Sequence, residues 1–275
     1  LIDPSLSQPS VWKFNLAFDA ELPMNLVAGT EWVYTKVKDG IYYKHLNLGA
    51  PTATGKDGRE LYYTPAGYNP LCWSATGGSV TSGAPCATSA TSSGFRNRAL
   101  SNAAYNNVLL ATGTDKGGGN AITFTLGSAK PVGGLNWQVA YTRTSATEVS
   151  PLTSSVSNSN FNARSVFNPN ENVDANSAYL VKDRFNASLN WSQALFGKYK
   201  TTVGVFYEGR KGKPYSWTYR NDLNGDGVSG NDLMYIPKGP QSGEVVFLGD
   251  TATNHANEDI FWSVVNANKI GRAHV

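Results

Sequence analysis

Apolar residues recur along this chain with a period of two, and that alternation constrains its fold more than any other feature. In "SVWKFNLAFDAEL", Trp12, Phe14, Leu16, Phe18 and Ala20 share one face, and Lys13, Asn15, Ala17 and Asp19 the other. "AITFTLGSAK" sets Ile122, Phe124 and Leu126 against Thr123 and Thr125, and "LNWQVAYTR" sets Leu135, Trp137, Val139 and Tyr141 against Asn136, Gln138 and Thr142. "RFNASLNWS" places Phe185, Ala187, Leu189 and Trp191 opposite Arg184, Asn186, Ser188 and Asn190. "TTVGVFYEGR" places Val203, Val205 and Tyr207 opposite Thr202, Gly204 and Glu208. Successive side chains of a strand point to opposite faces, so repeated alternation of this kind predicts β-strands. "LVAGTEWVYTKV" also reads as a strand, with its facing left open.

Alternation suits a soluble sandwich, with one face buried and one wet, and equally a transmembrane barrel, with one face to lipid and one to a watery lumen. Connection lengths separate the two. "ELPMN" (21–25), "KPVGG" (130–134) and "QALFGKYK" (193–200) are short, and long polar stretches at 46–107, 145–180 and from 209 onward lie between them. A compact soluble domain rarely carries repeated structureless loops of that length. An outer-membrane barrel has this asymmetry, with short periplasmic turns and long extracellular loops. The expected fold is therefore all-β: part of a transmembrane antiparallel β-barrel with long extracellular loops.

Hydrocarbon leaves no backbone group free to bond water, so a spanning sheet must close on itself. A barrel with an aqueous lumen needs more strands than this chain supplies, so it is expected to be a fragment, about six to eight strands of a larger barrel. Trp137 and Trp191, beside short turns, would then stand in the periplasmic aromatic girdle. The natural place for Glu31, Arg184 and Glu208 is the lumen face, since a lipid-facing Arg or Lys costs about 2–4 kcal/mol at the midplane.

Composition agrees. Charged residues are 16% of the chain and aromatics 12%, whereas soluble domains average about a quarter charged. The net charge of +3 is spread without a basic run, which argues against nucleic acid as a partner. No segment approaches the ~20 apolar residues of a transmembrane helix. The start, "LIDPSLSQPS", has no basic n-region or apolar h-region and reads as the middle of a longer gene product. Cys72 and Cys86 lack zinc-ligand spacing, and a disulfide in an oxidising compartment is the expected pairing, with two free thiols as the alternative.

Four phrases resemble the C-terminal half of Oar-like TonB-dependent outer-membrane receptors. They are "LAFDAELP", "YTKVKDGIYYKHLNL", "TGTDKGGGNAITFTLGSAKP" and the run from "VKDRFNASLNWSQALFGKYK" through "FYEGRKGKPYSW" and "DLNGDG" to "NDLMYIP". The resemblance covers residues 10–48 and 106–240 in order. It implies a barrel of about 22 strands with an N-terminal plug, energised through TonB to move ligands that porins do not pass. Residues 1–268 would be a partial C-terminal barrel of such a receptor in a bacterial outer membrane. Its partners would be outer-membrane lipid, an unidentified extracellular ligand, and a plug and TonB engaged through segments not in this sequence. A non-transporting structural or adhesive surface protein is the alternative. The tail "KIGRAHV" (269–275) resembles translated sequencing-adapter read-through and is expected to be non-native.

No nucleophile elbow, zincin helix motif or P-loop occurs, and catalysis is not expected. The glycines of "DKGGGN" (115–120) precede a strand, where a phosphate cradle needs a helix. His45 and His255 fall in expected loop or rim without a companion at ligand spacing. One loop carries metal-site spacing. Asp222, Asn224 and Asp226 stand at positions 1, 3 and 5 of a calcium loop, Gly227 at the sharp turn of position 6, and the Val228 carbonyl at position 7. Position 12 is Leu233, where an EF-hand has Glu, and the nearest carboxylate is Asp232. Calcium held by Asp222, Asn224, Asp226 and Asp232 is one reading. An Asx-turn tip whose side chains bond their own backbone is the other.

Overall fold

The structure, a computed structural model, describes residues 1–68 and 98–270. The expected Cys72–Cys86 pairing lies outside the described residues. So does most of the tail, of which Lys269 and Ile270 are described.

Each alternating segment forms a strand. The elements are β1 (Ser10–Leu22), β2 (Leu26–His45), β3 (Ala53–Thr54), β4 (Glu60–Leu61), β5 (Leu109–Thr114), β6 (Gly118–Ser128), β7 (Leu135–Glu148), β8 (Ala175–Asn176), β9 (Asp183–Phe196) and β10 (Tyr199–Arg210), with short helix α1 (Ser157–Asn162) and helix α2 (Ala256–Asn268). The main sheet is antiparallel in the order β1-β2-β6-β7-β9-β10, with β5 on β2 and β8 on β7. β5 and β6 run along successive parts of β2, so they act as one strand interrupted at residues 115–117. The glycines noted there serve this join. A Cβ on Gly118 would stand 2.4 Å from the Thr35 carbonyl oxygen, so only glycine lets the backbones pass.

The register sorts the sheet into two chemically distinct faces. One row runs Phe18–Thr30–Phe124–Tyr141–Phe185, and the next runs Ala20–Ala28–Leu126–Val139–Ala187–Tyr207. The opposite face carries Ala17–Glu31–Thr123–Thr142–Arg184–Arg210. The facing of β2 is thereby settled, with Trp32 and Tyr34 on the apolar side and Glu31 on the polar one. Glu31, Arg184 and Glu208 all lie on the polar face. Glu31 accepts from Asn15 at 2.7 Å, and Arg184 pairs with Glu208. Among the described residues the apolar face is left uncovered: Phe14, Leu16, Phe18, Phe124, Val203 and Val205 are 52–66% exposed.

The three short turns lie at one end of the sheet. Met24 and Asn25 turn β1 into β2 with left-handed φ values of 61° and 60°. Gly133 and Gly134 turn β6 into β7, and Gly197 and Lys198 turn β9 into β10. Asn25 bonds the Lys130 carbonyl at 2.7 Å, which ties two of these turns together. The long connections all leave from the other end.

Those connections depart from the structureless loops that the sequence suggested. They hold β3, β4, β8, α1 and α2, and with β5 and the adjoining end of β2 they form a cap that holds the core. Tyr42, Tyr62, Tyr63, Leu109, Phe161, Val166, Phe167, Leu180, Val228 and Ile236 are buried there, while the apolar face of the sheet stays open. The reason is physical: the core residues come singly or in short pairs such as Tyr62–Tyr63 and Val166–Phe167 and meet through contacts distant along the chain, so no local period marks them. The described strands form an open sheet, with β1 and β10 at its edges.

Candidate functional site

The 217–236 segment doubles back on itself at the cap end. Met234 N–H bonds the Trp217 carbonyl and Tyr219 N–H bonds the Asp232 carbonyl, both at 2.9 Å, closing a base beneath the tip. Gly225, Gly227 and Gly230 hold φ values of 79°, 90° and 85°, which let the tip coil tightly. Within it, Asp222 accepts from the N–H groups of Gly225 (2.7 Å), Asp226 (3.1 Å) and Gly227 (2.9 Å). Asn224 Oδ1 accepts from Asp226 N–H at 2.8 Å, and Asp226 Oδ1 from Val228 N–H at 2.7 Å.

This tip is not a solvent-exposed hairpin end. It is pressed into the cap by contacts from three other segments. Tyr62 N–H bonds the Asn224 carbonyl at 2.7 Å, Tyr63 Oη donates to the Asp222 carbonyl at 2.7 Å, and Arg98 N–H bonds the Gly225 carbonyl at 2.8 Å. Val166 forms a parallel bridge with Asp232. Arg59 donates to Asp232 Oδ1 at 3.2 Å, to Asp57 at 3.0 Å and to the Leu233 carbonyl at 2.6 Å, with its guanidinium 4.8 Å from the Phe167 ring centre. The structure thus brings Asp222, Asn224, Asp226 and Asp232 together and buries them: 9%, 0%, 1% and 0% exposed, with Asn231 at 3%.

Burying carboxylates without full compensation is costly, and the electrostatics record the cost. Burial, with the Asp222 and Asp232 charges beside it, pushes the Asp226 carboxyl up to about 8. Burial also raises Asp232, against the opposing pull of the Leu223 N–H and of Arg59. Burial and then the neighbouring aspartates raise the Tyr63 phenol. The Asp226 Oδ2, Asn231 Oδ1 and Asn224 Nδ2 atoms are buried without a hydrogen-bond partner among the described residues. Among those residues, no three His, Cys, Asp or Glu side chains converge as a ready-made metal cage. The oxygen donors of this tip are mixed instead: carboxylates, amides and main-chain carbonyls.

Asn231, Arg59, Tyr62 and Tyr63 join the site without having been singled out from the sequence. The second "ND" pair, at 231–232, was the only local signal for Asn231. Nothing local marked "GRELYY" as its partner segment. His45 is not in an exposed rim. It is buried at the cap end of β2, where Arg98 Nη1 donates to its Nε2 at 3.0 Å. His255 lies 3.7 Å from Glu258 at the start of α2. Neither histidine joins the 222–232 tip.

No protein-family model matches this chain, and no curated protein or solved structure matches it either.

Proposed function

We propose that this chain is a section of the wall and the extracellular cap of an outer-membrane β-barrel receptor of the TonB-dependent, Oar-like kind that its sequence phrases resemble. The observation that carries the reading is the uncovered apolar face running across six hydrogen-bonded strands, backed by a polar face with Glu31, Arg184 and Glu208. Six strands at ~4.8 Å spacing and about nine residues along β1 give on the order of 700 Å² of projected sheet. The largest apolar patch on an ordinary soluble monomer is about 300–600 Å². Lipid is the solvent that makes such a face favourable, and further strands on the open edges of β1 and β10 would close the wall. The sidedness of the connections supports the same reading. Short turns belong on the periplasmic side, and the long connections gather outside as a ligand-facing cap.

Tags inserted after Gly133 and after Gly243 of the full-length protein in intact cells test this. The Gly243 tag is expected to label from outside, and the Gly133 tag only after the outer membrane is permeabilised. Outside labelling of Gly133, or full-length protein recovered in the soluble fraction, would overturn the proposal.

A further inference from the structure

We propose that the 222–232 tip binds a hard divalent cation, calcium, through the Asp222 and Asp226 carboxylates and the side-chain oxygens of Asn224 and Asn231, and that the ion latches the tip onto the cap. An Asx-turn accounts for the oxygens that bond main-chain N–H groups, namely those of Asp222, Asn224 Oδ1 and Asp226 Oδ1. It does not account for Asp226 Oδ2 or Asn231 Oδ1, two acceptors buried without a donor among the described residues. Native interiors rarely leave such atoms unmatched, and a cation is a partner that two orphaned acceptor oxygens can share.

The charge balance points the same way. Arg59 pairs with Asp57 and Asp232, while Asp226 has no cationic partner among the described residues. A divalent ion would neutralise the Asp222–Asp226 pair where like charges otherwise oppose each other in a dry site. Asp232 is placed differently from the sequence expectation. Its Oδ1 receives Arg59 and its Oδ2 receives the Leu223 N–H at 2.8 Å, so it anchors the tip from outside the proposed donor set.

All the donors are oxygens, and main-chain carbonyls are part of the tip. Calcium accepts six to eight such ligands in irregular geometry, whereas magnesium keeps its waters in a strict octahedron and zinc prefers His and Cys. The consequence for the cap is mechanical. Tyr62, Tyr63 and Arg98 reach the tip through the Asn224, Asp222 and Gly225 carbonyls, so ordering the tip fixes two distant segments at once.

The test does not depend on membrane location and can fail while the receptor reading stands. Full-length protein in detergent is stripped with chelator and titrated calorimetrically with calcium chloride or magnesium chloride. Limited proteolysis of the 217–236 segment is followed in parallel. Wild type is expected to bind calcium saturably in preference to magnesium, at the 10⁻⁴–10⁻³ M level of extracellular modules or tighter, and calcium should slow cleavage about tenfold. Asp226→Asn removes a donor charge but also the repulsion. It should lose the calcium response while resisting protease in chelator at least as well as wild type. Asn231→Ala should weaken calcium binding with the fold kept. Equal wild-type cleavage in calcium and chelator, or an undiminished calcium response in Asp226→Asn, overturns the proposal.

Discussion

Gly225 occupies a position that a side chain cannot share. Its φ of 79° is left-handed, and a Cβ there would stand 2.6 Å from Tyr63 Cδ2 and 2.8 Å from the Tyr63 main-chain nitrogen. Gly225→Ala should therefore undock the tip at a cost of about 2–4 kcal/mol, combining left-handed strain with backbone collision. Cleavage near residue 225 should rise while the sheet keeps its circular dichroism, and an unchanged cleavage rate would count against the docking geometry. His45, in the cap-side part of β2 that pairs with β5, carries a second expectation at this scale. Burial lowers its pKa below the usual 6.5, and Arg98 lowers it further against the raising effect of Asn107. The folded state resists protonation that the unfolded chain accepts. Its contribution is therefore complete above about pH 6.5 and is lost as pH falls from there through the depressed folded pKa. Thermal melts of the cap between pH 7.5 and 5 should show this loss, and His45→Gln should remove that part of the pH dependence.

At the scale of elements, the two faces of one strand should tolerate the same substitution unequally. Phe124 and Thr123 are neighbours on β6, but Phe124 lies in the apolar row with Tyr141, and Thr123 faces Thr142 at 3.0 Å between hydroxyls on the polar side. Phe124→Arg should lower assembly into the outer membrane, with a penalty of about 2–4 kcal/mol if it lies near the midplane, while Thr123→Arg should assemble normally. Equal behaviour of the two variants would contradict a lipid-facing apolar side. The strands were legible in advance because a pleated sheet converts alternation directly into facing, and the five alternating segments became β1, β6, β7, β9 and β10 with the predicted sides. β2 was legible as a strand but not in its facing. Small and polar residues interrupt its alternation, and only pairing with β1 and β6 placed Trp32 and Tyr34 with Leu16 and Phe14. Helix α2 was missed in a stretch read as polar loop. Its helical face is short, and Phe261 packs on Phe247, 5.3 Å away between ring centres, a contact that local sequence does not announce.

For the whole molecule, the sheet and the cap divide the energetic roles. The cap holds the buried core, and the sheet presents apolar surface on one side and open edges at β1 and β10. The 275-residue chain expressed alone should therefore sediment as aggregate in buffer and stay dispersed only in detergent or lipid, because exposed apolar faces and free edges both drive association. A monodisperse, detergent-free preparation would support a secreted β-module instead. The sequence by itself determined the six long strands, which side of most of them is apolar, and which end carries the short turns, since each of these follows from local period and connection length. It also placed Asp222, Asn224 and Asp226 at cation spacing. Only the tertiary structure decided that the long polar stretches pack into a cored cap, that Asp232 is taken up by Arg59, and that Asn231, Tyr62 and Tyr63 complete the tip. Those outcomes depend on residues 59–63, 98, 166 and 217–236 meeting across the fold, and burial created by such distant contacts leaves no periodic trace in the chain.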